Sequence, residues 1–372
     1  MRPLLSAALI VRDEARVMAR CLTSLQGVVD EAVVVDTGSS DGTPEIAAGL
    51  GARVVHHPWT GDFAEARNVS LDTARGEWIL YIDADEYLAN GERAAVEARL
   101  RTAEEAAFRI LLRPVVRSTP YYEYRMWRND PRIRFDGVIH ETIVPAVHRV
   151  ADEDGRAIGV WDLLLEHDGY EGDQTHKHHR NLPLLRDELR HDPDNLFKRH
   201  HLARVLTGLD RDDEALAVLD DAVRVARGRP WDPLGSLAFT DLVRARRAHG
   251  DDVTDLLAEA RALYPDNKLL WWVDASVRIS AGRYTEALEL LDRLMAIDVG
   301  TLPAKGPSYD ERIFGEYTEE ARGLCLFRLG RYDEAARAYG HAAELDPANQ
   351  SYRAKHVAAL GRAGRSPAPP TA

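Results

Sequence analysis

The sequence predicts an α/β N-terminal domain on a mostly parallel, Rossmann-like sheet, followed by an all-α domain of helical repeats. Three observations support this. Up to about residue 166, short apolar β-type runs alternate with stretches of helical periodicity, the usual signal of a layered α/β structure. From about residue 175 the β-branched runs vanish and Leu/Ala helical spacing takes over. Within that second part, a short Gly-Arg-Tyr block recurs with the same downstream spacing. The length of 372 residues suits two domains, set here at 1–172 and 173–364. Residues 365–372 form a Pro-rich tail, Ser366-Pro367-Ala368-Pro369-Pro370 at its centre, expected to lack fixed structure.

In the first domain the patterning predicts strands at 6–11, 32–36, 53–56, 78–82 and 107–112. Helices are expected at about 14–26, 43–50, 62–74 and 91–101. Thr43-Pro44 reads as a helix start, with the Thr hydroxyl capping a free N–H and Pro in the first turn. Strand–helix alternation in this order argues for parallel pairing. Beyond residue 120 the expected strands are 122–128, 133–135, 141–147 and 160–167, adding mixed or antiparallel pairing around the site.

The second domain carries the repeats. Gly330-Arg331-Tyr332-Asp333-Glu334-Ala335, then Tyr339, Ala342 and Pro347, is echoed by Gly282-Arg283-Tyr284-Thr285-Glu286-Ala287 with Leu291 and Leu294. A weaker copy is Asp210-Arg211-Asp212-Asp213-Glu214-Ala215 with Leu219 and Ala222. Small residues precede each copy at one equivalent position, Gly323, Ala275 and Ala203, where they let two helices approach. Gly before the second helix permits a tight turn. The pattern resembles the tetratricopeptide repeat, with Pro265 closing a more divergent unit near 234–265. Generic helical hairpins are the bland alternative.

Bulk properties narrow the function. The formal charge of −13 and the lack of a basic run argue against nucleic acid as a partner. Cys21 and Cys325 are isolated, which implies neither a zinc site nor a disulfide framework, and each is expected to fill core space. No apolar run has the length of a membrane span, and the N-terminus has no signal-peptide pattern, so a cytosolic chain without a transmembrane segment is expected.

Two blocks carry candidate chemistry. In Val33-Val34-Val35-Asp36-Thr37-Gly38-Ser39-Ser40-Asp41-Gly42-Thr43, an apolar strand brings Asp36 to its carboxyl end, where open α/β sheets bind ligands. A Ser/Gly/Asp turn is also simply a turn. In Trp78-Ile79-Leu80-Tyr81-Ile82-Asp83-Ala84-Asp85-Glu86, three carboxylates arrive at the end of a buried strand. Like charges packed there need a cation or ligand to compensate, and hard divalent ions favour carboxylate oxygens. A solvated loop is the alternative for an isolated D-x-D.

Together with Ala8-Leu9-Ile10-Val11-Arg12-Asp13-Glu14, Asp62-Phe63-Ala64-Glu65-Ala66-Arg67-Asn68 and Gly76-Glu77-Trp78, these blocks resemble the inverting family 2 glycosyltransferases of GT-A fold over roughly residues 5–170. The resemblance implies that Asp36 contacts the donor nucleobase, with Val11, Arg12 and Glu14 in the same pocket. It further implies Arg67 near the nucleotide, Asp83 and Ala84 near the ribose, and Asp85 on a divalent metal, Mn or Mg, bridging the diphosphate. Relatives commonly have Lys-Asn-Glu where this chain has Arg12-Asp13-Glu14, a departure on the base side of the pocket.

Arg134-Phe135-Asp136-Gly137-Val138-Ile139-His140-Glu141 matches an acceptor-side run in such enzymes. Glu141 is the candidate catalytic base, Asp136 its substitute, and His140 an orienting group; a Glu at a strand start is more often simply exposed. His167 in Glu166-His167-Asp168-Gly169-Tyr170 is the candidate second metal ligand. His176, His178 and His179, among Lys177 and Arg180, read as a solvated helix face. Trp59, Tyr121, Tyr122, Tyr124 and Trp127 suit either sugar stacking or packing. The resulting expectation is a metal-dependent transfer of a sugar from a nucleoside diphosphate, UDP by resemblance, to a peptide, protein or envelope-glycan acceptor. The repeats would bind acceptor, partner or a second copy. The alternatives are an interaction scaffold with an inactive transferase domain, and a nucleotidyltransferase, for which no Gly-rich triphosphate loop with a basic residue is present.

Overall fold

The computed structural model describes residues 2–114, 117–167, 175–302 and 308–365. The expected boundary at 172/173 and the Pro-rich stretch 366–372 lie outside the described residues. The chain divides into two compact units, Met1–Pro193 with Ala304–Ser308, and Asp194–Pro303 with Tyr309–Ala372. Among the described residues no helix is long and apolar enough to cross a membrane.

Unit 1 opens with β1 (Leu5–Val11), α1 (Ala15–Leu25), β2 (Glu31–Asp36), α2 (Thr43–Gly49), β3 (Arg53–His56), α3 (Phe63–Thr73) and β4 (Trp78–Tyr81). It continues with β5 (Glu86–Leu88), α4 (Arg93–Arg101), β6 (Ala107–Arg113), β7 (Tyr121–Arg128), α5 (Val144–Asp154), β8 (Ile158–His167) and α6 (Thr175–His191). The described strands form one sheet in the order β3-β2-β1-β4-β7-β6-β8-β5. The first four pair in parallel through β1. From β4 onward the sheet is mixed: β7 is antiparallel to β4 and β6, β8 is parallel to β6, and β5 is antiparallel to β8.

Of the parallel strands, β1, β2 and β4 are largely buried on both faces and are nearly continuous apolar runs, with Val33, Val34 and Val35 fully enclosed, while the edge strand β3 is only partly covered. Burial of that kind drives the fold at roughly 25 cal/mol per Å² of apolar surface. Between α3 and β4 the chain passes through Gly76, which lies directly on β1. A Cβ there would sit 2.5 Å from Ser6 Oγ and 2.7 Å from Ser6 N, so glycine is a packing requirement. The lone cysteines fill core space as expected, Cys21 in unit 1 and Cys325 in unit 2, both buried and unpaired.

Three local expectations need correction. Residues 141–147 do not form a strand but lead into α5. Pro145 stands in its first turn, and Val147, Val150 and Ala151 bury at helical spacing until Gly155 ends it at φ 64°. The apolar run was too short to separate period 2 from period 3.6. Residues 133–135 are buried rather than paired: Ile133 and Phe135 join the core, and the neighbouring ladder is a single bridge, Asp136 to Thr142. The Thr43 hydroxyl does not cap α2. It donates to Asp41 Oδ1 at 2.5 Å, and the same oxygen accepts the Thr43 amide at 3.1 Å.

Unit 2 contains α7 (Leu196–Thr207), α8 (Asp212–Gly228), α9 (Gly235–Ala248), α10 (Thr254–Leu263), α11 (Lys268–Ser280), α12 (Tyr284–Met295), α13 (Glu316–Arg328), α14 (Tyr332–Leu345) and α15 (Gln350–Arg362). The three sequence copies share one turn. Asp210, Gly282 and Gly330 all take positive φ, 56°, 74° and 78°. The next amide bonds back to the preceding helix each time: Arg211 to Leu206 O, Arg283 to Arg278 O, Arg331 to Leu326 O. Each Arg then reaches forward to a Glu, with Nε donating at 2.6 Å to Glu214, 2.7 Å to Glu286 and 2.7 Å to Glu334. The small upstream residues are buried, and Gly323 sits against the Tyr339 ring.

Candidate active site

The parallel order puts the carboxyl ends of β1 and β4 side by side, and a cleft of about 750 Å³ opens there. Of the residues expected in the site, Val11, Arg12, Glu14, Arg67, Asp83, Ala84, Asp85 and His167 line it. Asp36, Asp136 and Glu141 are not among its lining. Asp36 is only 4% exposed, accepts the Ser39 amide at 3.0 Å and lies 3.2 Å from His56 Nδ1. Burial pushes its carboxyl up, but the hydrogen bonds from Ser39 and His56 outweigh this and hold it low. Thr37, its neighbour, reaches the cleft and donates its hydroxyl to Val11 O at 3.0 Å.

The loops after β1 and β2 are stitched together by side chains. Asp13, at φ 55°, accepts the Ser40 amide at 2.7 Å, while Ser39 Oγ accepts the Asp13 amide at 2.9 Å. The Glu14 amide donates to Thr43 Oγ1 at 2.8 Å. This interlock sets the cleft wall, and it explains why the Ser/Asp-rich turn lies where it does. Burial raises the Glu14 carboxyl, and Lys177 works against that rise.

Behind Asp83 lies a buried charge network. The Arg67 guanidinium holds Asp83 Oδ1 at 2.8 Å through Nη2 and pairs with Glu141 Oε1 through Nε. Tyr81 donates to Asp83 Oδ2 at 3.1 Å. Its ring lies between two guanidiniums, Arg67 and Arg125, each 4.3 Å from the centroid. Arg125 in turn clamps Glu86 at 2.8 and 3.2 Å and pairs with Glu123 at 2.9 Å. Burial pushes Asp83 up, yet Arg67 and Arg125 win and keep it ionised; burial raises Glu86 more than Arg125 lowers it. The network leaves Asp85 at the cleft, 3.0 Å from His167 Nε2. That contact is the leading cause of His167 being raised, against its burial.

A carboxylate oxygen with a neutral imidazole nitrogen is a donor pair that Mn²⁺ accepts more readily than Mg²⁺, which favours oxygen ligands throughout. Among the described residues no three His, Cys, Asp or Glu gather closely enough to bind a metal alone.

Near Glu141, Asn68 clamps Phe135 twice, donating to its carbonyl at 3.0 Å and accepting its amide at 2.9 Å. Asp62 caps α3 by accepting the Glu65 amide at 3.0 Å. The Asp62–Asn68 block is therefore partly structural: it fixes the loop that carries Glu141. Glu141 Oε2 accepts no hydrogen bond among the described residues, whereas Asp136 is exposed. Of the aromatics, Trp59 lines the cleft in an edge contact with Phe63 at 4.7 Å, while Trp127 is core.

Sequence reasoning missed Arg125, Tyr81, Lys177 and Arg180 as site components. The α6 segment is a helix as expected, but its Lys177 and Arg180 line the cleft rather than a purely solvated face. No spacing signal marks an inward Arg on β7; only the sheet order brings it beneath Asp83.

Residues 6–134 match the family model "Glycosyl transferase family 2", and residues 320–349 match "Tetratricopeptide repeat". A TPR repeat-containing protein of Synechococcus elongatus is 38% identical over 45% of this chain and 43% of its own length. The SPbeta prophage-derived glycosyltransferase SunS of Bacillus subtilis is 26% identical over 59% of this chain and 53% of its own. The chain thus spans about half the length of the curated relatives it matches. Among solved structures, S. aureus TarS 1-349 in complex with UDP-GlcNAc is 18% identical, with 74% of this chain and 92% of that chain covered at TM-score 0.39.

Proposed function

We propose that this chain, whose residues 6–134 belong to glycosyltransferase family 2 and whose second unit bears tetratricopeptide repeats, transfers a sugar from a nucleoside diphosphate donor to an acceptor nucleophile. The observation that supports this most is the pairing of Asp85 with His167 at the mouth of a cleft that also holds Asp83 and the β1 loop. Asp85 and His167 are assigned to the divalent ion, Asp83 and Ala84 to the ribose, and Val11, Arg12, Glu14 and Asp36 to the base side. Arg67 is assigned to holding Asp83 and Glu141 in register, since both its faces are already engaged.

In the reaction, an acceptor lone pair attacks the anomeric carbon, the bond to the β-phosphate oxygen breaks, and the nucleoside diphosphate departs. Attack opposite the leaving group inverts the centre. When bound, the ion would offset charge on the departing diphosphate. Glu141 takes the acceptor proton through Oε2, with its other oxygen anchored by Arg67; Asp136 is the substitute. UDP is the nucleotide assigned by family resemblance. The repeat unit is assigned to recognition of a peptide or protein acceptor, with a glycan acceptor, a partner protein or a second copy of the chain as the other roles it admits.

The test is a hydrolysis and binding screen of nucleotide sugars with Mn²⁺ or Mg²⁺, reading released nucleoside diphosphate. Release with one donor family, lost in Asp85→Ala, is the expected result. A chain that neither binds nor cleaves any of them ends this reading.

A further inference from the structure

We propose that Lys177 and Arg180 of α6 form the phosphate-recognition face of the cleft and grip the donor diphosphate directly. The inference rests on the donor reading above and extends it to a helix that follows the α/β motif blocks. Both side chains line the same cleft as Asp83, Asp85 and Arg12. A diphosphate needs cations, and the motif arginine of this site is already committed. Arg67 is held between Asp83 and Glu141, and Arg125, deeper in the network, between Glu86 and Glu123.

Arg180 is placed differently. It is half-buried, its Nε donates to Asn181 Oδ1 at 3.0 Å, and its guanidinium lies 5.0 Å from the Phe63 ring centroid. No carboxylate among the described residues forms an ion pair with it. Stacking on Phe63, itself braced by Trp59 at 4.7 Å, orients the planar fork and lowers the entropy cost of binding. Burial and then the nearby Arg12 both disfavour its charge, with Glu14 opposing them. Lys177 shares that same carboxylate. Arg12, Lys177 and Arg180 thus line one cleft, with Arg12 near enough to Arg180 for the two to repel and Glu14 attracting both Lys177 and Arg180.

The helix bearing these cations is also anchored to the reaction side. Glu188, further along α6, accepts the Val138 amide at 2.9 Å, and Val138 O accepts the Phe63 amide at 2.9 Å. Leu182 and Leu185 are buried beneath it. Phosphate contacts from α6 would therefore rest on a support that also braces the loop carrying Glu141. Arg supplies a bidentate fork for phosphate oxygens and Lys a point charge, so the two are complementary.

The experiment is calorimetric titration of the full chain with UDP, GDP and CDP in Mn²⁺, and with UMP and uridine by competition. Lys177→Gln and Arg180→Gln should each weaken the bound diphosphate about 10-fold, and the pair together about 100-fold. Uridine affinity should change less than about 2-fold, and Lys177→Arg should restore most of the loss. Unchanged diphosphate affinity in both variants overturns the clamp alone. So does an equal loss for uridine, which would mean that the pocket has collapsed. If Arg180→Gln melts early by circular dichroism, Lys177→Gln decides the matter by itself. A wild-type chain that binds none of the diphosphates overturns the donor reading and the clamp together.

Discussion

Arg67 shows how much one side chain decides here. It is buried, it joins Asp83 to Glu141, and it stacks on Tyr81. Removing one partner of a buried ion pair typically costs about 3–5 kcal/mol, and here it would leave Glu141 without its cation and Asp83 with only Tyr81 and Arg125. Arg67→Ala should therefore lower the stability of unit 1 by about that amount in urea unfolding, and Arg67→Lys should recover only part of it. Glu141→Gln is the cleaner probe of chemistry, since it keeps shape and a hydrogen-bonding oxygen. With a competent acceptor, kcat should fall about 100- to 10,000-fold while UDP affinity stays within about 2-fold. If Asp136→Asn produces that loss and Glu141→Gln does not, the base assignment moves to Asp136. Sequence spacing named Arg67 and Glu141 separately; their union across residues 67 and 141 exists only in the folded chain.

At the scale of single elements, local chemistry is legible wherever it obeys a short-range rule. The repeat turns are an example, because a left-handed residue must follow each first helix. Gly282 and Gly330 meet that need freely, whereas Asp210 adopts φ 56° at a cost. Asp210→Gly should stabilise unit 2 by about 0.5–1 kcal/mol, and Gly330→Ala should destabilise it by about 1 kcal/mol, both measurable by thermal unfolding. Asp30, just before β2, depends instead on distant partners. It accepts the Leu4 and Leu5 amides at 2.7 and 3.0 Å and Arg93 Nη2 at 2.6 Å. Burial pushes its carboxyl up, but the Leu5 amide and Arg93 outweigh this and hold it below the ordinary value. Its folded-state value being lower, it stabilises above the unfolded value of about 3.9 and loses that contribution as pH falls through the lower, folded one. Asp30→Asn should cost about 1 kcal/mol at neutral pH, allowing for solvent screening, and the gap from wild type should close in urea titrations below about pH 4. The strand expected at 141–147 failed for a related reason. An apolar Ile-Val pair before a proline fits either period, and packing on the sheet chose the helix.

For the whole molecule, the proposed donor is anionic while the chain carries a net charge of −13. The proposal reconciles the two through local placement, since Arg12, Lys177 and Arg180 all line the cleft. Each unit also has its own apolar clusters, around Leu9 and Trp127 in the first and Phe239 and Leu291 in the second. A ligand that binds the folded form at 100 times its Kd stabilises it by about 2.7 kcal/mol. UDP with Mn²⁺ should therefore raise the melting temperature of the full chain, and EDTA should cancel most of the shift. A UDP shift that persists unchanged in EDTA would count against the metal, and no shift at all would count against the donor.

By itself, the sequence determined the α/β and helical-repeat textures, the strand tips bearing Asp36 and Asp83, and the repeat turns. Those features depend on neighbours within a few residues: periodicity, turn chemistry and capping act locally. Only the tertiary structure decided which carboxylates face open space and which are consumed by arginines. It set Asp36 and Glu141 just behind the residues that line the cleft, Glu141 on the lining residue Arg67, slid Arg125 beneath Asp83, and brought α6 to the mouth. Sheet order and long-range ion pairs set those outcomes, because a charge's partner is chosen by proximity in space rather than by spacing along the chain.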